Sequence, residues 1–435
     1  MTSPPNKDPL IIPPYKSPTG FRIGTFSSLR YWNFRFLMGG TMLMSAGNWI
    51  QQVTLGWMMF DMTHSPFLVG TLHGVRAIPF LISSPVAGVI SDIIDRRKLL
   101  MLNQLFIGLI AILFAILVAN GLTQVWHLFI FTFVSGMGWA FNNPVRQSLV
   151  ANSVPRENLM NAIALNSMGI NINRFIGPAV GGLLITFFGE ANNFFIQGIC
   201  FLAVILIIAP INVPQKISAN SKQQPILFNF VEGLKYISKE QTIAGLIFMA
   251  LIPAIFLMPF ITGLMPVFAE EILNAGPDGL GFLLSALGLG GLLGALILAT
   301  FSNVKRRGLL LITSAVLSGL LMVVFSRTKL MPISLAVLVF LGAAHMYYMT
   351  TNNTLMQTIT PDQYRGRVIG IYTLNFGLRA LGGLIGGGLA HKYGSSMAIF
   401  VGGITTIILV IYFSIKFKAV RRAKIKLNAT DDSLS

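Results

Sequence analysis

Charge is scarce in this chain: 10% of its 435 residues are Asp, Glu, Lys or Arg, while 54% are hydrophobic. Soluble domains carry about 25% charged residues. A chain of this length would ordinarily make two or three soluble domains, and these charges are too few to cover such surfaces. The apolar surface must face lipid. Acidic residues are the scarcest, 14 against 31 basic ones, for a formal net charge of +17. In a water-soluble protein that excess would suggest nucleic acid as a partner. Here the basic residues sit between long apolar runs and report topology, so no nucleic-acid partner is expected.

Other absences narrow the function. The single Cys200 lies in an apolar stretch and has no intrachain partner for a disulfide. The stretch MTSPPNKDPLIIPPYKSPTG has neither the apolar core nor the small-residue cleavage site of a signal peptide. Its prolines suggest an extended cytoplasmic tail. There is no Walker A loop, no HExxH and no CxxC. That opposes an ATP-driven pump on this chain, and no enzyme activity, metal or cofactor is expected. Finally, no carboxylate falls clearly inside an apolar run. Asp61, Glu190, Glu270, Glu271 and Asp278 read as outer-side, and Asp92 as inner-side.

What is present is a series of apolar runs. A spanning helix needs about 20 mostly apolar residues. Such runs occur at 34–58, 66–91, 98–119, 125–145, 162–187, 193–213, 242–268, 279–301, 308–326, 332–354, 367–391 and 396–417. The first, fourth and tenth are the most polar. Between the sixth and seventh lies a polar stretch whose segment FNFVEGLKYISKE suits an amphipathic interfacial helix. This divides the chain into a tail (1–33), a six-helix half (34–213), a cytoplasmic linker (214–241), a second six-helix half (242–417) and a second tail (418–435). With the N-terminus inside, 25 Lys and Arg residues fall on inner segments and three on outer loops. Basic residues are retained on the cytoplasmic side, so both termini are expected there, in the inner membrane of a bacterium.

A shift of 206 residues brings Pro155 onto Pro361, Gly177 onto Gly383, Gly181 onto Gly387, Gly182 onto Gly388 and Gly88 onto Gly294. One offset serving two separate regions indicates two halves in the same orientation. Transporters of this plan hold substrate between the halves near the midplane.

Two motifs stand out. After the second run, GVISDIIDRRKLL places Gly88, Asp92, Asp95, Arg96, Arg97 and Lys98 in one turn. Gly88 permits close helix approach, and Asp92 suits a helix N-terminus. The fifth run contains NRFIGPAVGG, with Arg174, Gly177, Pro178, Gly181 and Gly182. Pro178 favours a kink. The plainer alternatives are a positive-inside turn and generic small-residue packing.

These motifs, with residues 26–62 and PDQYRGRVIGIYTL at 361–374, resemble the major facilitator superfamily, in the branch of enterobactin, multidrug and secretion-effector permeases. The resemblance covers nearly all of 29–415. It implies an all-α membrane protein of about twelve transmembrane helices in two parallel, pseudo-symmetric six-helix halves. It implies a secondary active transporter, without cofactor, that exports a small organic molecule by alternating access. Proton antiport and a monomer are the accompanying expectations. An importer, a flippase for a lipid-like molecule, or a non-transporting sensor remain alternatives.

Arg76, Arg174 and Arg379 lie near the middle of runs, where an arginine costs about 2.5–3.5 kcal/mol to insert and so calls for a partner or a role. The resemblance implies that Arg76 and Arg379 lie near each other across the interface between halves. It also implies that Asn48, Gln51 and Gln52 of the first span, with Asn352 of the tenth, face a central cavity, as His73 and His345 would. Multidrug permeases for cations often carry a buried acid. Its absence points to a neutral or anionic substrate.

Overall fold

The computed structural model describes residues 24–213, 226–300 and 306–421, with side-chain surroundings for all of these except 24–25, 80–89, 91–93, 143, 226–229 and 299–300. Among the described residues there are helices and no strands. The helices are α1 (Trp32–Thr63), α2 (Pro66–Ile93), α3 (Arg96–Ala119), α4 (Val125–Asn152), α5 (Leu159–Ile208), α6 (Ile226–Lys239), α7 (Gln241–Ile252), α8 (Met258–Thr262), α9 (Met265–Glu271), α10 (Gly276–Thr300), α11 (Arg307–Phe325), α12 (Met331–Ile359), α13 (Asp362–Thr373), α14 (Asn375–Tyr393) and α15 (Ser395–Lys416).

Eight helical stretches among the described residues are long and apolar enough to cross a membrane. Apolar side chains on their outer faces, such as Leu113, Phe187, Leu206 and Phe340, are more than 60% exposed, which suits lipid rather than water. α1, α2 and α4 have spanning length but are not among the eight. The 50 residues of α5 would make about 75 Å of helix, far more than a bilayer core. α5 instead reverses at Gly189, with φ 78° and ψ 171°, a conformation open to glycine because it lacks a Cβ. The expected outer loop between the fifth and sixth runs is therefore a single glycine. With both legs of α5, the described residues form twelve long helical legs, the α7–α9 stretch and the α13–α14 stretch each taken as one.

The seventh leg is broken for a reason written in its sequence. Pro253, Pro259 and Pro266 have no N–H to offer the carbonyls of Met249, Ile255 and Thr262, four residues back. A π segment, Pro253–Leu257, joins α7 to α8. Each stranded carbonyl meets another helix. The Tyr348 hydroxyl of α12 donates to the Met249 oxygen at 2.5 Å. The Ile255 oxygen points at Gly382 of α14, where a Cβ would collide with it. The Thr262 oxygen lies 3.2 Å from His73 Nε2 of α2. A carbonyl can only accept, so Nε2 carries the hydrogen. Tyr348→Phe would leave the Met249 carbonyl unpaired in a buried site. The expected cost is about 1–3 kcal/mol, read as a lower thermal midpoint in detergent.

The apolar cores show how the two halves meet. Call the face carrying the start of α1 and the end of α15 the tail face. Near it, each half has its own core. One contains Phe34, Leu149, Leu165 and Ile208, and the other Leu246, Leu311, Leu355 and Val410. Near the far face one core joins Val53, Trp57 and Ile185 of the first half to Phe260, Phe268, Leu283 and Ile399 of the second, and another, around Phe60, Phe114, Phe131 and Phe194 of the first half, takes in Val267 of the second. Among the described residues, the apolar cores are shared between the halves at the far face and belong to one half each at the tail face.

Three segments outside the spans pack on the two halves. Residues 24–30 of the first tail form a 3-10 turn held on α5, with Ser28 N–H bonded to Asn161 Oδ1 at 3.0 Å. The linker contains α6, as the amphipathic pattern predicts. It docks on the second half, stacking Tyr236 on Tyr364 at 4.1 Å and pairing Glu232 with Arg367 at 2.8 Å. At the start of the second tail, Val420 is fully buried against Gly245 and Gly308.

Candidate functional site

The GPxxGG segment lies on the seam between the halves. Pro178 strands the Arg174 carbonyl, which packs onto Gly288 of α10, where no Cβ would fit. Ala179 N–H donates to Ser285 Oγ of α10 at 2.9 Å. A Cβ on Gly281 of α10 would come within 2.6 Å of the Pro178 oxygen and 3.1 Å of Gly182 Cα. Gly177 and Gly181 instead face α1, against Trp49 and Ile50. The partner seam joins α2 to α14. Gly70 packs on Gly383 and Gly387, and Gly74 on Ala380. The 206-residue repeat carries α5 onto α14, so the two seams are related by it. Both run from the far face to about mid-depth.

The mid-depth arginines Arg76 and Arg379 stand on helices that touch at Gly74 and Ala380, and each has its own neighbours. Arg76 Nη2 donates to Asn48 Oδ1 at 2.6 Å, within the first half. Arg379 instead lies within electrostatic reach of Arg174, and His345 within reach of both. The Arg379 guanidinium sits 4.7 Å above the Phe376 ring. Arg76 turns toward α1 on its own side, while Gly74 is the residue that approaches α14 across the seam.

Arg379 opens onto a small cavity of about 20 Å³. It is lined by Ala250, Pro253, Ala254 and Met258 of the broken leg, by His345, Tyr348, Met349 and Asn352 of α12, and by Tyr372 and Arg379. Every one of these residues belongs to the second half. Three buried polar atoms here have no hydrogen-bond partner among the described residues: Arg379 Nε, His345 Nδ1 and Asn352 Oδ1. Asn352 Nδ2 is used, donating to the Leu246 oxygen at 3.2 Å.

The polar residues of α1 divide. Asn48 holds Arg76, and Gln52 is half-buried. Gln51 does not face a cavity. It donates to Ser135 Oγ at 2.7 Å and accepts from Gln197 at 2.9 Å, so it binds helices of its own half together. His73 lies on the α2 seam rather than in the cavity of the second half.

In the loop between α2 and α3, Gly88 and the Asp92 side chain lie outside the described side-chain surroundings. Asp95 caps α3, accepting from Arg97 N–H at 2.9 Å and Lys98 N–H at 3.1 Å. Arg97 Nη2 donates to the Ala209 oxygen at the end of α5. Arg96 is half-buried and Lys98 exposed. The role expected of Asp92, an acid on a helix N-terminus, is filled at least by Asp95. Asp95→Ala should cost about 1 kcal/mol, again seen as a lower thermal midpoint.

Sequence reasoning missed Tyr348, Tyr372 and Ser285. For Tyr348 a signal was available: a proline in an apolar run strands the carbonyl four residues earlier, and a hydroxyl elsewhere must serve it.

Comparison with known proteins agrees with this architecture. A family model described as transmembrane secretion effector matches residues 23–432. The staphyloferrin A transporter of Staphylococcus aureus is 25% identical over 409 residues, covering 92% of this chain and 100% of its own. The enterobactin exporter EntS of Shigella flexneri is 26% identical over 385 residues, covering 85% and 88%. The multidrug efflux pump Tap of Mycolicibacterium fortuitum is 25% identical over 358 residues, covering 80% and 87%. Among solved structures, a bacterial homolog of the human lysosomal transporter Spinster, inward-facing and unoccupied, superposes with TM-score 0.67 at 15% identity, over 89% of this chain and 96% of its own. The nucleoside transporter NupG gives TM-score 0.67 at 13% identity, over 89% and 99%. With two helical halves, glycine seams and a matching family model, the chain is a multi-pass membrane transporter and belongs to the transmembrane secretion effector family of the major facilitator superfamily.

Proposed function

We propose that this transporter exports a small organic molecule from the bacterial cytoplasm by alternating access, with twelve membrane-spanning legs and both termini cytoplasmic. The observation that carries this reading is the pattern of cores. A shared core at the far face and separate cores at the tail face describe one of two arrangements of rigid halves. The tail face bears the basic residues, so this arrangement opens to the cytoplasm. The relatives named as exporters and an efflux pump support the outward direction. One chain supplies both halves, so a monomer suffices.

We propose proton antiport as the driving reaction. His73 is one candidate proton carrier: Nε2 is committed to Thr262 and Nδ1 is left to take the proton, against burial and the charge of Arg76 on the same helix. It lies on a seam that must part when the far face opens. The exposed Asp61 at the end of α1 is the second choice.

Single cysteines at Ser3, Lys329 and Ser433, in a Cys200→Ser background, test the orientation. An impermeant thiol reagent is expected to label only the Lys329 position in intact cells. Labelling of Ser3 or Ser433 from outside would reverse the assignment. For coupling, proteoliposomes with an imposed pH gradient should accumulate substrate, and an uncoupler should abolish the accumulation. Accumulation indifferent to the uncoupler would remove proton coupling.

A further inference from the structure

We infer that the cavity of the second half binds the anionic end of the exported molecule, and that this end carries a hydroxyl or other hydrogen-bond donor beside its anionic oxygen. The inference rests on the exporter reading and adds the substrate class and the subsite to it.

The argument is one of unmet demand. A guanidinium held away from water needs a counter-charge or acceptors. Arg379 has Phe376 against one face of its plane and a buried Nε without an acceptor. Its charged neighbour is Arg174, which adds to the positive potential. None of the lining residues is an aspartate or a glutamate. Arg76, by contrast, already has Asn48. Arg379 and its neighbour Arg174 are both without an acceptor among the described residues, and an anionic oxygen in the cavity supplies what Arg379 lacks.

The other two unpartnered atoms refine the class. His345 Nδ1 is a second position facing the same space, and it donates to an anion when it carries the hydrogen. Asn352 Oδ1 can only accept, because its Nδ2 is bound to Leu246. An anion alone leaves Asn352 unanswered. An anion with a neighbouring hydroxyl answers both. The rest of the lining, with Met258, Met349, Tyr348 and Tyr372, suits a flat apolar body. At about 20 Å³ the cavity has room for about one water in this arrangement, so it admits an anionic group only as the helices lining it move apart.

Mandelate, an α-hydroxy acid with one ring, and phenylacetate, the same molecule without the hydroxyl, are suitable probes. Calorimetric titration of the purified full chain in detergent is expected to show mandelate binding about fivefold or more tighter than phenylacetate, a difference of one hydrogen bond. Arg379→Gln should weaken both by about tenfold or more, as expected for a lost charge-assisted bond. Asn352→Leu should erase the preference for mandelate over phenylacetate. Should Arg379→Gln fail to fold, a Met349→Cys thiol in a Cys200→Ser chain reports the same site, and mandelate should slow its alkylation. Equal anion binding by wild type and Arg379→Gln, or no protection of the thiol, would overturn the subsite. Tetraphenylphosphonium tests the rival class. If it binds and is exported while neither anion binds, the exporter reading stands and the anion subsite falls.

Discussion

Replacing Gly281 with leucine should cut transport to below about a hundredth of wild type while the protein still inserts and folds. Gly281 faces Gly182 and the Pro178 carbonyl across the seam between halves, and even a Cβ there would lie 2.6 Å from that oxygen. Overpacking costs about 1–3 kcal/mol or more. The cost falls on the far-face-closed arrangement alone, since the helices are apart in the other. A bias near 3 kcal/mol shifts the two-state balance about a hundredfold. The trapped state should be open at the far face. A Met349→Cys thiol in the cavity would then react faster with an impermeant reagent applied from outside. Gly70→Leu, on the repeat-related seam with Gly383 and Gly387, should do the same. Gly39→Leu is the control, because nothing lies within 4 Å of a Cβ at that exposed site. Wild-type transport by Gly281→Leu would show that the seam does not need to close.

Asn48→Leu should destabilise the first half by about 2–3 kcal/mol. Asn48 is buried, and its oxygen accepts the Arg76 hydrogen bond at 2.6 Å. Leucine removes that acceptor and leaves a charged group without it, which costs more than deleting both partners. Arg76→Met in the same chain should therefore restore most of the loss. The measurement is a double-mutant cycle on thermal unfolding in detergent. A stable Asn48→Leu protein would mean that Arg76 finds its acceptor elsewhere, and a ligand would return as its partner.

The residues behind these two outcomes differ in how visible they are along the chain. Gly182 stands out in a sequence because GPAVGG is dense in glycine. Gly281 does not, and its importance comes from the helix that crosses it. Arg76 and Arg379 look equivalent when read along the chain, both mid-run and both without a local acid. The fold separates them. The register of α2 turns Arg76 toward α1, while α14 directs Arg379 into the second half beside His345. A mid-membrane arginine advertises a need for a partner, but the chain does not say on which helix the partner stands.

The amphipathic helix in the linker shows the same division. Its apolar period is local, so the pattern of FNFVEGLKYISKE is enough to mark it. Its docking on α13 through Tyr236 and Glu232 joins residues more than a hundred positions apart, and periodicity carries no such information.

Composition and pattern by themselves determined that this chain lives in a bilayer, that it has two parallel halves and which face its basic residues occupy. Those properties rest on quantities summed along the chain: apolar run length against bilayer thickness, charge asymmetry and a single repeat offset. Tertiary structure alone decided that the halves are fused at the far face, that His73 reaches across to Thr262, and that Arg379 opens onto the cavity of the second half. Each of these depends on the rotation of one helix against another. A shift of one residue turns a helical side chain by about 100°, and neither hydropathy nor charge counts resolve that angle.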